Sequence, residues 1–224
     1  MSGNMESKNT VDGKNQLSQH VYLYGDAEKG SPRIMIMGNS ITRHGYLPSI
    51  GWYGDWGMAA SCEEKDYAHL LMARVWERCP DACFAVVQAA VWEVSYTSCN
   101  YDEYFSEVKD FKPDIIVCAI SANIRDFRRE DFLREMKSLH DYLGGDSYRL
   151  IQTTSFFNNE EKTAAIEEYV RQERGELVHI EDLCQDEKNL AIGLFEHAGV
   201  QHHPGDAGMA AIADRIFEKL EKYI

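Results

Sequence analysis

The sequence predicts an α/β fold: a flavodoxin-like three-layer α/β/α sandwich around a central, mostly parallel five-stranded sheet. Three observations carry this expectation. Short continuous apolar runs recur along the chain, as strands buried on both faces require. Segments with apolar residues at helical spacing lie between them. The two kinds alternate, which is the pattern of βαβ units with helices covering both faces of a sheet.

The first run, Ile34-Met35-Ile36-Met37, stops at Gly38. Phe84-Ala85-Val86-Val87 is the second, and Ile115-Ile116-Val117-Cys118-Ala119-Ile120 is the longest. Arg149-Leu150-Ile151-Gln152 and Leu177-Val178-His179-Ile180 complete the five. From Asp66 onward, Tyr67, Leu70, Leu71 and Val75 fall on one helical face. Phe132, Met136, Leu139 and Leu143 repeat the spacing, and Ala164, Ile166, Tyr169 and Val170 form a third helical stretch. The last helix has the clearest period, with Met209, Ile212, Ala213, Ile216, Phe217 and Leu220 on one face. In such sheets the working residues collect beyond the carboxyl ends of the strands.

A chain of 224 residues fits one domain. Residues 1–20 are polar and read as a flexible lead-in, leaving residues 21–224 as a single domain. The 23 Lys+Arg against 37 Asp+Glu give a net charge of −14, which disfavours nucleic acid and anionic membranes as partners. No apolar run approaches the roughly 20 residues of a membrane span. Met1 to Gln19 hold no apolar core like that of a signal peptide, so the expected location is cytoplasmic. None of the six cysteines forms a Cys-x-x-Cys pair, and all six read as reduced.

Two residues stand where chemistry is expected. Ser40 follows the first strand in Gly38-Asn39-Ser40-Ile41-Thr42. Gly38 suits a tight turn, because it has no Cβ to forbid positive φ. A serine hydroxyl needs a base to become a nucleophile; without one Ser40 is a turn or capping residue. The base is available at the other end of the chain. In His203-Pro204-Gly205-Asp206, Pro204 and Gly205 make a turn and Asp206 an N-cap, so His203 sits on a rigid loop before the last helix. A neutral imidazole there can take a proton. His202 reads as solvent-facing. A metal site from His197, His202, His203 and Asp206 fits no standard zinc spacing, so neither metal nor cofactor is expected.

These blocks resemble the SGNH (GDSL-type) hydrolase family. Ile36-Met37-Gly38-Asn39-Ser40-Ile41-Thr42 is similar to its first block, apolar-Gly-Asp-Ser-Ile-Thr. The strand at Ile115 ends in Ser121-Ala122-Asn123, similar to the third block's Gly-x-Asn. His203-Pro204-Gly205-Asp206-Ala207-Gly208 is similar to the last block, His-Pro-Asn-x-x-Gly. Together the blocks anchor residues from about 33 to 220, in the family's order.

The resemblance implies a serine esterase. Ser40 attacks an ester carbonyl to form an acyl-enzyme, and His203 acts as base and then acid. The oxyanion hole comprises the Ser40 N–H, a backbone N–H after the second strand (Ala90) and the Asn123 side chain. Four departures qualify this. Asn39 replaces the first-block Asp, Ser121 the third-block Gly, and Ala89 or Ala90 the second-block Gly. Val200 stands where the family has an Asp three residues before the His. The orienting acid is then missing, or replaced by Glu196 or a backbone carbonyl.

The segment Gly51-Trp52-Tyr53-Gly54-Asp55-Trp56-Gly57 follows the nucleophile loop. Trp52, Tyr53 and Trp56 form either a pocket wall and sugar platform or an inward aromatic cluster. Arg43 and His44 either line the site or make a surface turn. The expected substrate is a small acyl, acetyl-like ester, with a carbohydrate as its carrier. The alternatives are a non-catalytic ligand-binding module on the same fold and an acyltransferase.

Overall fold

The computed structural model describes residues 21–26, 28–145 and 147–224; the lead-in expected over residues 1–20 lies outside them. The strands are β1 (Val21–Tyr24), β2 (Arg33–Gly38), β3 (Cys83–Gln88), β4 (Ile115–Ala119), β5 (Arg149–Thr153) and β6 (Glu176–Val178). They form one sheet in the order β1-β3-β2-β4-β5-β6. The five expected strands are all present and mutually parallel. β1 is a sixth, antiparallel to β3, with Val21 opposite Val87 and Tyr24 opposite Phe84. This edge strand is not among the five expected, although Val21-Tyr22-Leu23-Tyr24 is apolar and aromatic throughout; none of the four is fully buried and Leu23 is 55% exposed.

The longer helices are α1 (Tyr67–Arg78), α5 (Arg129–Gly144), α6 (Glu160–Glu173) and α8 (Asp206–Leu220), matching the four periodic stretches. Short helices lie between them: α2 (Ala90–Ser95), α3 (Tyr101–Tyr104), α4 (Ser106–Lys109) and α7 (Ala198–Gln201). Alternate residues of each strand go to opposite cores. Ile34, Ile36, Phe84, Val86, Ile115 and Val117 pack with Leu71 and Val75 of α1 and Ile212 and Ile216 of α8. Met35, Met37, Ala85, Val87, Ile116 and Cys118 pack with Trp92, Phe132, Met136, Leu139 and Ile166 on the other face. This is the three-layer sandwich.

The strand order fixes where a site can form. β2 lies between β3 and β4. The segments leaving the carboxyl ends of these three strands are therefore neighbours, and they carry Ser40, Ala90 and Asn123. Among the described residues no helix is long and apolar enough to cross a membrane.

Candidate active site

The Ser40 turn is built by Asn39. Its carbonyl accepts the N–H groups of Thr42 and Arg43, each at 3.0 Å. Its side-chain oxygen accepts the Ile41 N–H at 3.1 Å, and its amide donates to Glu93 at 3.0 Å. The Ser40 carbonyl accepts from the Met58 N–H at 2.8 Å, which ties the turn to the following loop. Gly38 serves here through close approach rather than positive φ. A Cβ on it would stand 1.8 Å from the Thr42 hydroxyl oxygen, which is itself 2.6 Å from the Tyr67 hydroxyl.

His203 enters from the other end of the chain. The Ala191 N–H donates to the His203 carbonyl at 3.0 Å and the Gly205 N–H to the Asn189 carbonyl at 2.9 Å, which fixes the loop on both sides. The ring then meets the nucleophile: His203 Nε2 is 2.8 Å from Ser40 Oγ. On its far side, Nδ1 is 2.7 Å from the Gly199 carbonyl oxygen. A carbonyl only accepts, so Nδ1 carries the proton and Nε2 offers its lone pair to Ser40. Burial holds the ring neutral. It outweighs the Gly199 carbonyl and, with the nearby His44, His202 and His197, lowers the pKa to about 4.

The expected oxyanion donors differ in what they already bond. No acceptor among the described residues takes the Ser40 N–H. Asn123 donates one side-chain N–H to Glu93 Oε2 at 2.5 Å, leaving the other. The Ala90 N–H, expected as the third donor, is engaged by the Gln88 side-chain oxygen at 3.0 Å. The Ala89 N–H donates to the Gly38 carbonyl at 2.6 Å.

Neither a protein-family model nor a curated protein matches the sequence. Solved structures match the fold. An esterase, EstA from Pseudoalteromonas sp., superposes with a TM-score of 0.58 at 10% identity, covering 86% of this chain and 98% of that one. A catalytic mutant of an acetylxylan esterase from Geobacillus stearothermophilus gives 0.57 at 14% identity, covering 86% and 95%. A putative GDSL-like lipase from Bacteroides ovatus gives 0.54 at 16% identity, covering 85% and 98%. This chain has the SGNH-hydrolase fold.

Within the SGNH fold, several expected site residues take other places. Glu196 is exposed and makes no hydrogen bond to His203; the Gly199 carbonyl holds that position because α7 presents its backbone under the ring. Asp206 does not cap α8. Gly205 is the N-cap, and Asp206 accepts from the Ser61 N–H at 2.8 Å and the Ser61 hydroxyl at 2.7 Å. His202 is exposed, with Nδ1 2.6 Å from the Ala198 carbonyl oxygen.

The aromatic segment folds inward. Trp52 is fully buried, with its ring 5.7 Å from that of Trp56 and 6.1 Å from that of Phe195. Trp52 donates to the His44 carbonyl and Trp56 to the Ala60 carbonyl, each at 2.9 Å. These two residues are core, not pocket wall, because each indole N–H finds a carbonyl in its own loop. Arg43 is also removed from the site. It lies 3.3 Å over the Tyr22 ring and 3.0 Å from Asp55, and donates to the Tyr24 hydroxyl at 2.8 Å. Tyr53 and His44 stay half-buried, and burial lowers the His44 pKa against the pull of the Gly45 carbonyl.

Three contributors escaped sequence reading. Phe157, beyond β5, packs edge-on against His203 at 6.1 Å and is 37% exposed. Glu93 and Lys162 converge behind Asn123. A cavity of about 190 Å³ opens beside Asn123, lined also by Glu93, Tyr96 and Arg125. Only Glu93 carried a signal, as a lone acid within Val91-Trp92-Glu93-Val94. Among the described residues no group of three or more His, Cys, Asp or Glu could hold a metal ion.

Proposed function

We propose that this protein is a serine esterase that hydrolyses a small acyl ester through an acyl-enzyme on Ser40. The observation that carries the reading is the 2.8 Å approach of His203 Nε2 to Ser40 Oγ. His203 takes the hydroxyl proton as Ser40 Oγ attacks the ester carbonyl. The Ser40 N–H and the free Asn123 N–H receive the negative charge that develops on the carbonyl oxygen. His203 then returns the proton to the leaving alcohol. Water, deprotonated by His203, attacks the acyl carbonyl and releases the acid and free Ser40.

The substrate reading is an acetyl-like acyl group on a carbohydrate. The partly exposed Phe157 and Tyr53 offer ring faces of the kind on which sugars stack, and one solved esterase with this fold is an acetylxylan esterase. The excess of acidic residues favours a neutral ester over an anionic one.

The test is p-nitrophenyl acetate hydrolysis. Ser40→Ala abolishes it while circular dichroism stays native; unchanged turnover would sink the proposal. A second reading, a ligand-binding module, is favoured by one observation: a carbonyl, not a carboxylate, backs His203. That reading requires that an organophosphonate probe leave Ser40 unlabelled, whereas the esterase is labelled there stoichiometrically.

A further inference from the structure

Around the Ser121–Asn123 loop stand a buried acid and a buried base, Glu93 and Lys162, that bond to the loop and to the Ser40 turn rather than to each other. Glu93 is 1% exposed. Its Oε1 accepts from the Asn39 amide at 3.0 Å and from the Ser121 N–H at 2.5 Å. Its Oε2 accepts from the Asn123 amide at 2.5 Å. Lys162, 8% exposed near the start of α6, donates to the Ser121 carbonyl at 2.9 Å and the Ile124 carbonyl at 2.8 Å. Among the described residues Lys162 makes no carboxylate ion pair. Between them sits Ser121 at φ 134°, a conformation that favours glycine.

We infer that Glu93 and Lys162 are positioning residues: together they clamp the Ser121–Asn123 loop and lock it to the Ser40 turn. The inference rests on the esterase reading and extends it to how the site is held. Asn39 shapes the Ser40 turn with its oxygen and bonds Glu93 with its amide. Asn123 spends one N–H on the same carboxylate, which aims the other. One carboxylate thus sets both oxyanion donors in a single frame, before any substrate arrives. Donors fixed in advance stabilise developing charge without reorganising at the moment of reaction. Lys162 closes the other side of the loop, taking the carbonyls that Glu93 cannot.

The clamp also explains why position 39 is an amide. A carboxylate there would face the Glu93 carboxylate at 3.0 Å, with like charges buried together. The acid expected at position 39 is supplied instead from position 93, and Asn39 supplies the complementary donor.

The experiment combines kinetics with amide hydrogen exchange. Glu93→Gln puts a donor among donors; it lowers kcat for p-nitrophenyl acetate by roughly 100-fold while KM changes little. Exchange of the 120–124 amides accelerates. Asn39→Asp alone also lowers kcat, and Asn39→Asp combined with Glu93→Gln restores the 39–93 hydrogen bond with reversed polarity. The double variant recovers about tenfold over Glu93→Gln. Lys162→Met keeps the buried stem and accelerates exchange of the same loop; this variant and Asn39→Asp carry the test if Glu93→Gln does not fold. Wild-type kcat and wild-type loop exchange in folded Glu93→Gln would overturn the inference. So would a double variant no better than Glu93→Gln, or wild-type loop exchange in Lys162→Met. If the native protein neither turns over nor takes the phosphonate, the esterase reading fails. Loop exchange then judges the clamp by itself.

Discussion

The Nδ1 atom of His203 lies 2.7 Å from the carbonyl oxygen of Gly199, where a triad would place a carboxylate. A carbonyl performs one of the acid's two tasks. It fixes the tautomer, so Nε2 faces Ser40 with its lone pair. It carries only a partial charge, so it stabilises the imidazolium weakly.

The pH profile follows from this. The base works only when neutral, and burial lowers the His203 pKa to about 4 from an ordinary 6.5. Activity therefore holds constant from neutral pH through 6.5 and falls only as pH descends through about 4. The kcat/KM profile of the free enzyme reads this midpoint directly. An acid limb centred at 6.5 would show that the ring is charged and solvated instead.

Glu196 supplies the companion test. It is exposed and does not touch His203, so Glu196→Gln keeps wild-type kcat. A loss of about tenfold or more would restore it as the orienting acid.

The Arg43–Gly57 loop owes its shape to buried aromatics. Trp52 is fully buried and its indole N–H is satisfied by His44. Trp52→Ala removes that bond and leaves a large cavity, costing about 3–5 kcal/mol. Urea unfolding measures it. A loss below about 1 kcal/mol would mean that the loop is not packed as described.

His69 links stability to pH. Burial opposes its charge, but hydrogen bonds and charge from Asp66 and Glu63 prevail and raise its pKa to about 9. Asp66 Oδ1 lies 2.8 Å from Nδ1. A raised folded pKa means stability fully present below 6.5 and lost as pH rises through about 9. The loss is on the order of 3 kcal/mol. Unfolding free energy measured from pH 6.5 to 9.5 falls in the native protein, and His69→Gln flattens that part of the curve. Parallel curves would remove His69 as the source.

Much of this was legible in the sequence, for reasons particular to each element. β2 to β5 are written as apolar runs because helices cover both their faces. β1, Val21-Tyr22-Leu23-Tyr24, is apolar too, but it is a four-residue edge strand directly after the polar lead-in, with none of its residues fully buried. Ser40 and His203 stand at element boundaries with their own turn residues, and the structure brings them together across 163 residues. The Gly199 carbonyl has no sequence signature, since every residue has one. Glu93 was hidden because its partners come from the ends of β2 and β4, and only the strand order makes them neighbours. Trp52 and Trp56 were ambiguous, since aromatic residues serve a wall and a core equally well.

Ser121 offers a prediction in which every contribution has a sign. Its φ of 134° costs a side chain of order 1–3 kcal/mol. Its hydroxyl oxygen is buried and finds no protein partner among the described residues. Ser121→Gly removes both penalties while keeping the backbone N–H for Glu93 and the carbonyl for Lys162. Against this stands the greater freedom of glycine in the unfolded chain, worth about 0.5–1 kcal/mol. The strain is the larger quantity, so Ser121→Gly stabilises the fold by about 1 kcal/mol. Urea unfolding at neutral pH reads the difference from the midpoint, provided the slope is unchanged. Destabilisation instead would mean that the serine side chain is bonded in solution and that the loop is not strained at this residue.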